Sequence, residues 1–173
     1  VSIFMEKLTL DDVKHISALT PEGWYDVTPV YAMHLNQDYS FPIKLMVENK
    51  TIGVGELIIN GKIGWLGNII VSKKFRNQGF GKKLTERLIE IAKAKGCKSI
   101  YLLATPLGKS VYEKLGFQED GKYLFFKKGE ANFLVEKNES IIPFDAKYKN
   151  EIFDLDKKAM GEDRSKVLAL HLE

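Results

Sequence analysis

One cysteine in 173 residues excludes a disulfide scaffold, because Cys97 has no partner within the chain. A chain that stays reduced belongs in the cytoplasm. Five prolines, no internal repeat and no low-complexity stretch exclude fibrous and linker-like chains. No apolar run approaches the ~18–20 residues that a membrane span requires, so no membrane association is expected. Val1–Leu10 has no basic region followed by an apolar core, so no signal peptide is expected. Neither sign of charge dominates: 26 Lys and Arg against 23 Asp and Glu leave a net charge of +3. That is too mild for a nucleic-acid binder, which usually carries a clustered basic face, but it suits a local basic site for a small anion. His15, His34 and His171 lack metal-ligand spacing; no metal is expected, and each reads as a surface or packing residue.

What is present is a 45% hydrophobic chain with mixed periodicity. The pattern predicts a strand over Ser2–Thr9. A helix over Asp11–Leu19 follows, with Thr9 or Asp11 as its N-cap and Val13, Ile16 and Leu19 on one face. Residues 21–29 form a loop carrying Trp24, Tyr25 and Asp26, and Val30–Leu35 a second short helix. Three strands are then predicted, Ile43–Glu48, Thr51–Asn60 and Ile63–Val71, joined by turns at Asn49-Lys50 and Asn60-Gly61. The clearest helix is Phe80–Lys95, ended by Gly96. A buried-type strand over Ser99–Ala104, a helix over Leu107–Leu115 and a hairpin over Phe117–Lys127 and Ala131–Lys137 complete an α+β domain spanning residues 1–137. Its β-α-β centre requires a parallel strand pair. Residues 138–173 read as a linker with Pro143, a helix from about Asp145 to Ala159 and a second helix capped by Asp163.

Chemistry concentrates in Ile69–Leu84. A strand leaves into a loop with Gly79 and Gly81 that opens directly onto a helix. Unpaired N–H groups, the helix dipole and the charges of Arg76, Lys82 and Lys83 make this a pyrophosphate cradle. A P-loop, G-x-x-x-x-G-K-[ST], fails at Arg76 and Lys83. The dinucleotide fingerprint G-x-G-x-x-G fails at Leu84, and again at Ile58 when started from Gly53. What fits is Arg76-Asn77-Gln78-Gly79-Phe80-Gly81, or [RQ]-x-x-G-x-[GA], with Val71 five residues ahead. This resembles the acetyl-CoA motif of the GNAT N-acetyltransferase superfamily. Tyr112-Glu113-Lys114-Leu115-Gly116-Phe117, or Y-x-K-x-G-F, resembles the family's second motif in the right order and at the right distance. The resemblance covers roughly residues 2–137. One departure is that Thr105 and Gly108 stand where the family often has N-x-x-A. The run from Ala104 to Phe117 resembles a branch whose members carry a second, degenerate GNAT-like half, and residues 138–173 look like its opening segment.

The resemblance implies a mixed, mainly antiparallel sheet flanked by helices, whose central parallel pair splays to take coenzyme A. It implies an acyltransferase using acetyl-CoA as co-substrate on a primary amine, expected to be that of a small molecule, by direct attack. Ile69, Ile70 and Val71 would hold the pantetheine arm through their backbone. Arg76, Asn77, Gln78, Gly79, Phe80, Gly81 and Lys82 would hold the pyrophosphate. Tyr112 is the candidate general acid, since a phenol of pKa about 10 can protonate a thiolate of pKa near 8.5; packing against the cofactor is the other use of its ring. The strand Ile63–Val71 has no carboxylate, and Glu56 on the preceding strand is the nearest base, although a Glu at a hairpin edge is ordinarily solvated. A water held by Asn68 or by a backbone carbonyl is the alternative. Trp24, Tyr25 and Asp26 could wall an amine site, or serve as a core lid and a helix cap. Cys97 reads as a small buried residue. The rival functions are a protein N-terminal or lysine acetyltransferase, and a catalytically silent acyl-CoA-binding module. The tail's Ile152, Leu155 and Ala159 could dock on the domain or on another copy, giving a homodimer.

Overall fold

The computed structural model describes residues 2–124 and 140–172. The chain divides into two compact units, residues 1–118 and 119–173. The first is built on a five-stranded sheet in the order β1-β2-β3-β4-β5. The strands are β1 (Ile3–Lys7), β2 (Ser40–Val47), β3 (Lys50–Asn60), β4 (Ile63–Val71) and β5 (Ser99–Leu102). All neighbours are antiparallel except β4 and β5, which run parallel. Four helices accompany them: α1 (Leu10–Val13), α2 (Thr28–His34), α3 (Phe80–Ala94) and α4 (Pro106–Glu113).

Two-residue hairpins set the register of β2, β3 and β4. Val47 pairs with Lys50, so the first turn is Glu48-Asn49, and both residues take positive φ (49° and 63°). Twist-matched two-residue hairpin turns demand that geometry. Asn60 pairs with Ile63, so the second turn is Gly61-Lys62, with Gly61 at φ 61°. Both turns differ by one residue from the sequence expectation: Lys50 and Asn60 each belong to the ladder.

The sheet is covered on both faces. On one, Leu84, Leu88 and Ala92 of α3 are fully buried against Leu45, Ile52, Leu57 and Leu66. Removing each of these leucines from water contributes about 1.5–3 kcal/mol. On the other, Leu8, Val13, Ile16, Leu19, Val27, Tyr31 and Leu35 close over Val54 and Ile70. The stretch expected as one helix from Asp11 to Leu19 is instead α1 followed by a 3-10 turn, Ile16–Leu19. Its buried residues, Val13, Ile16 and Leu19, recur every third position. That spacing suits a three-residue turn better than one of 3.6. Thr9 begins α1 in a reciprocal cap with Asp12, whose Oδ2 accepts from the Thr9 amide at 2.8 Å.

Two further expectations change. β5 is four residues long and alternates between exposed and half-buried positions rather than lying in a buried strand. It pairs only with β4 among the described residues, and Tyr101 is 40% exposed. Residues 117–124 carry no strand; the rest of the expected final hairpin lies outside the described residues.

In the second unit, α5 (Lys149–Met160) is entered through a 3-10 turn capped by Asp145 and ends at Gly161, φ 72°. The helix α6 (Ser165–His171) follows, with Asp163 Oδ1 accepting from the Ser165 amide at 3.1 Å. Arg164 ties the two helices by donating Nε and Nη2 to the Asp156 carboxylate, Nε at 3.0 Å. Asp145 thus caps the 3-10 turn ahead of α5, and Asp163, expected as the cap of the second helix, stands one residue before its N-cap position, Arg164.

Candidate functional site

The site is organised by β4. Its pairing with β5 stops at Leu66 and Leu102, yet β4 continues to Val71. From Gly67 onward it keeps β3 on one side and, among the described residues, no strand on the other. Where the two strands part, the β3–β4 register slips. Glu56 pairs with Gly67 and Val54 with Ile70, so Asn68 and Ile69 lie opposite the single residue Gly55. This is a β-bulge, which re-aims backbone groups. Asn68 sits at φ 51°, and the fully buried Tyr31 donates its hydroxyl to the Asn68 carbonyl at 2.9 Å. Burial, and then the Glu56 charge, push the Tyr31 phenol well above its usual range, so it remains a donor. Side chains of Ile69 and Val71 pack on the α3 core and Ile70 on the opposite one. These three residues therefore have only backbone to offer.

The chain leaves β4 through a 3-10 turn, Lys73–Phe75, and enters α3 at Gly79, whose φ of 81° favours glycine. Among the described residues no acceptor occupies the amides of residues 77–82. Among the described residues a Cβ built at Gly79 meets nothing within 4 Å, and one at Gly81 meets only Val71 Cγ2 at 4.0 Å. Bare amides at the start of a 15-residue helix are suited to an anion. The side chains around it do different work. Arg76 donates Nε to the Val71 carbonyl at 3.0 Å, fastening the loop to the strand end; among the described residues no carboxylate pairs with its guanidinium. Gln78 donates to the Lys74 carbonyl at 3.2 Å. Asn77 takes φ 62°. Phe80 is a core residue, edge-on to Phe75 with ring centroids 6.2 Å apart. Lys82 lies 3.6 Å from Glu86 on the exposed side of α3.

Glu56 is 2% exposed, contrary to a solvated edge position. Its Oε1 accepts from Ser40 Oγ at 2.9 Å and lies 3.0 Å from His34 Nδ1. Its Oε2 lies 3.4 Å from Asn68 Nδ2. Burying a carboxylate costs several kcal/mol unless it is well partnered; here neutral donors and one imidazole supply the partners. His34 is thus neither a surface nor a purely apolar packing residue. The available signal was its place in α2: Tyr31, His34 and Leu35 share one helix face, and Tyr31 and Leu35 are core. His34 Nε2 and Tyr39 Oη are buried without a partner among the described residues. The two rings meet edge-on at 6.4 Å. Burial, then the charges of Glu56 and Asp38, raise the Tyr39 phenol.

Tyr112 projects back along α4, as helical side chains do. Its ring lies so close over Gly108 that a Cβ there would come within 2.8 Å of it. The ring also meets Phe117 edge-on at 6.2 Å. Burial raises the Tyr112 phenol and keeps it protonated. Thr105 caps α4, accepting from the Gly108 amide at 3.3 Å, with Pro106 in the first turn. Trp24 and Tyr25 are exposed, 41% and 67%. The Asp26 carboxylate accepts from the amide and hydroxyl of Thr28 at 2.9 and 2.7 Å, opening α2.

Cys97 is half-buried beneath β4, near Gly64. A cavity of about 620 Å³ lies away from the cradle, between β1, β2 and the later turns of α3, and its lining includes Leu35, Asp38 and Ser40. Among the described residues no group of three His, Cys, Asp or Glu is placed to hold a metal, and no helix is long and apolar enough to cross a membrane.

Known proteins resemble the chain over part of its length. A probable glucosamine 6-phosphate N-acetyltransferase of Oryza sativa subsp. japonica is 38% identical over 77 residues, 44% of this chain and 43% of its own. The glucosamine 6-phosphate N-acetyltransferase of Trypanosoma brucei brucei is 32% identical over 76 residues, 40% of this chain and 52% of its own. The chain spans only about half the length of the curated relatives it matches. Among solved structures, AAC(6')-Iy in complex with the bisubstrate analog CoA-S-monomethyl-acetylneamine superposes with a TM-score of 0.61 at 20% identity. That match covers 75% of this chain and 99% of the other. A chain from Pyrococcus horikoshii gives a TM-score of 0.71 at 22% identity, covering 98% of this chain and 61% of the other. These likenesses support the fold, a mainly antiparallel sheet with one parallel pair. The sequence profile of the acetyltransferase (GNAT) family matches residues 10–117, which hold the whole of β2 to β5, the cradle and Tyr112, and the chain belongs to that family.

Proposed function

We propose that the chain transfers an acetyl group from acetyl-CoA to a primary amine of a small molecule. The observation that carries the proposal is the set of unoccupied amides at residues 77–82, in open space beside the unpaired half of β4. Acetyl-CoA supplies the acetyl group as a thioester. The amides of the cradle, with Arg76 and Lys82 beside them, hold its pyrophosphate. The backbone edge of Ile69–Val71, which has no strand beside it among the described residues and whose Val71 carbonyl is held by Arg76, takes the pantetheine arm as a further strand would be taken. An N–H at the bulge polarises the thioester carbonyl; such preorganised donors are typically worth ~3–4 kcal/mol of barrier. As the new C–N bond forms and the C–S bond breaks, Tyr112 gives its proton to the departing sulfur. Glu56 is the sink for the proton that the amine loses. Two relatives are named for glucosamine 6-phosphate and a fold neighbour was solved with an acetylneamine conjugate. Amino sugars are therefore the first acceptors to test.

The test is thiol release from acetyl-CoA over an amine panel led by glucosamine 6-phosphate. Turnover that Tyr112→Phe lowers, with CoA affinity unchanged, is the expected result. A saturating thermal shift with CoA should reach about 2.7 kcal/mol at 100 times Kd. CoA binding with no turnover across the panel reassigns the chain to a non-catalytic acyl-CoA-binding module. No shift with CoA at all removes the cradle.

A further inference from the structure

Alternation along β4 fixes what each face offers. Gly64 and Leu66 look toward α3: a Cβ at Gly64 would meet Leu57 Cδ1 at 3.0 Å, Cys97 Sγ at 3.3 Å and Ala92 Cβ at 3.6 Å. Trp65 and Gly67 therefore look to the opposite side. There Trp65 pairs with Tyr101 of β5, and the two rings stack with centroids 5.2 Å apart and planes 29° from parallel. Gly67 pairs with Glu56. Gly67 is not in the left-handed region, and a Cβ on it would meet nothing within 4 Å. The backbone does not demand glycine at this position, and among the described residues no neighbour excludes a side chain. What the missing side chain leaves is space, bounded by an aromatic pair and by a buried carboxylate.

That carboxylate is unevenly served. Glu56 Oε1 has both Ser40 and His34, while Oε2 has only the 3.4 Å approach of the Asn68 amide. Among the described residues no Lys or Arg pairs with it. A buried carboxylate without a full cation is complementary to a protonated amine, and a stacked pair of aromatic rings is complementary to a flat apolar face and to a cation lying against it.

We propose that the space over Gly67 is the acceptor pocket, and that it selects amines carried on a ring. The ring lies on Trp65 and Tyr101 and its nitrogen points to Glu56 Oε2, with His34 and Ser40 as positioning residues that hold the carboxylate. The proposal rests on the transferase assignment above, and its test separates the two. In a Trp24→Phe background Trp65 is the sole tryptophan, so its emission reports directly on the pocket. The CoA-loaded protein is titrated with glucosamine 6-phosphate and phenethylamine as ring amines, and with putrescine as a linear one. Saturable emission changes with at least one ring amine, at concentrations where putrescine gives none, are expected. Gly67→Val should weaken that response at least tenfold while the thermal shift with CoA stays unchanged. Ser40→Ala, which loosens Glu56 without touching the pocket wall, should weaken it less, leaving phenethylamine the least affected where stacking dominates. Equal responses to ring and linear amines, no response to either ring amine, or wild-type binding by Gly67→Val each overturn the proposal. Absence of a CoA shift in the unsubstituted protein would instead strike the transferase assignment, and the Trp24→Phe protein is used once its CoA shift matches that of the unsubstituted one.

Discussion

The two halves of β4 differ in what surrounds them rather than in what they are made of. From Ile63 to Leu66 the strand is paired on both sides, and Gly64 and Leu66 are buried under α3. From Gly67 to Val71 it keeps one neighbour, bulges at Asn68 and runs into a loop whose amides have no acceptor among the described residues. Both halves are apolar and both contain glycine. In the lower half glycine makes room for the protein's own atoms; in the upper half, and at Gly79 beyond it, glycine leaves room that the protein does not fill. Unmet backbone groups are costly when buried, so they persist where water or a ligand can meet them.

The sharpest way to break this comparison is at the cradle. Gly79→Val forces a β-branched residue to φ near 81° and puts methyl groups where phosphate would lie. CoA affinity should fall by at least about 100-fold, or ~2.7 kcal/mol, by calorimetric titration. The melting transition should show only the modest cost of the strained backbone. Unchanged affinity would mean that the open space is idle. Next in size is Tyr112→Phe, which should lower kcat by about 100-fold with CoA affinity intact, the usual scale for a lost general acid. The burial that raises this phenol above its ordinary 10.0 also sets the sign of its pH dependence. The protonated form persists on the alkaline side, so kcat should show no loss from Tyr112 until the pH exceeds about 10. A fall in kcat that begins near neutrality and vanishes in Tyr112→Phe contradicts the assignment.

Two glycines then separate the halves by stability alone. Gly64→Val overpacks the α3 face and should cost about 1–3 kcal/mol in denaturant melts. Gly67→Ala should be within about 0.5 kcal/mol of neutral. Similar losses at both positions would erase the distinction. The smallest effect is expected at Arg76→Ala, a few-fold loss of CoA affinity that shrinks as salt is added, because exposed charge is screened. A salt-independent loss would show that the bond from Arg76 to the Val71 carbonyl, rather than its charge, matters most.

Much of the frame was legible in the chain. β4 was read to the residue, and α3 to within one, because strict hydrophobic spacing is bounded by Gly79 and Gly96. The hairpin turns were legible to within a residue, since turn chemistry marks the bend while pairing decides which residue closes the ladder. The loop proposed as the cradle was legible because its signal is local: a strand end, two glycines and a helix start within a dozen residues. Glu56 was found but given the wrong surroundings, and His34 was passed over. Their meeting depends on α2 closing over β3, across 22 positions in sequence, and no local pattern records that.

The sequence by itself determined the period of each element, the places where the backbone had to be bare, and the family to which those places belong. These follow from local sterics and side-chain spacing, which act within a few residues. Only the tertiary structure decided where β4 and β5 part, which glycine faces open space, and that one carboxylate is buried beside the point of parting. Those outcomes depend on register and on burial between distant segments, which the order of residues constrains only through the packed whole.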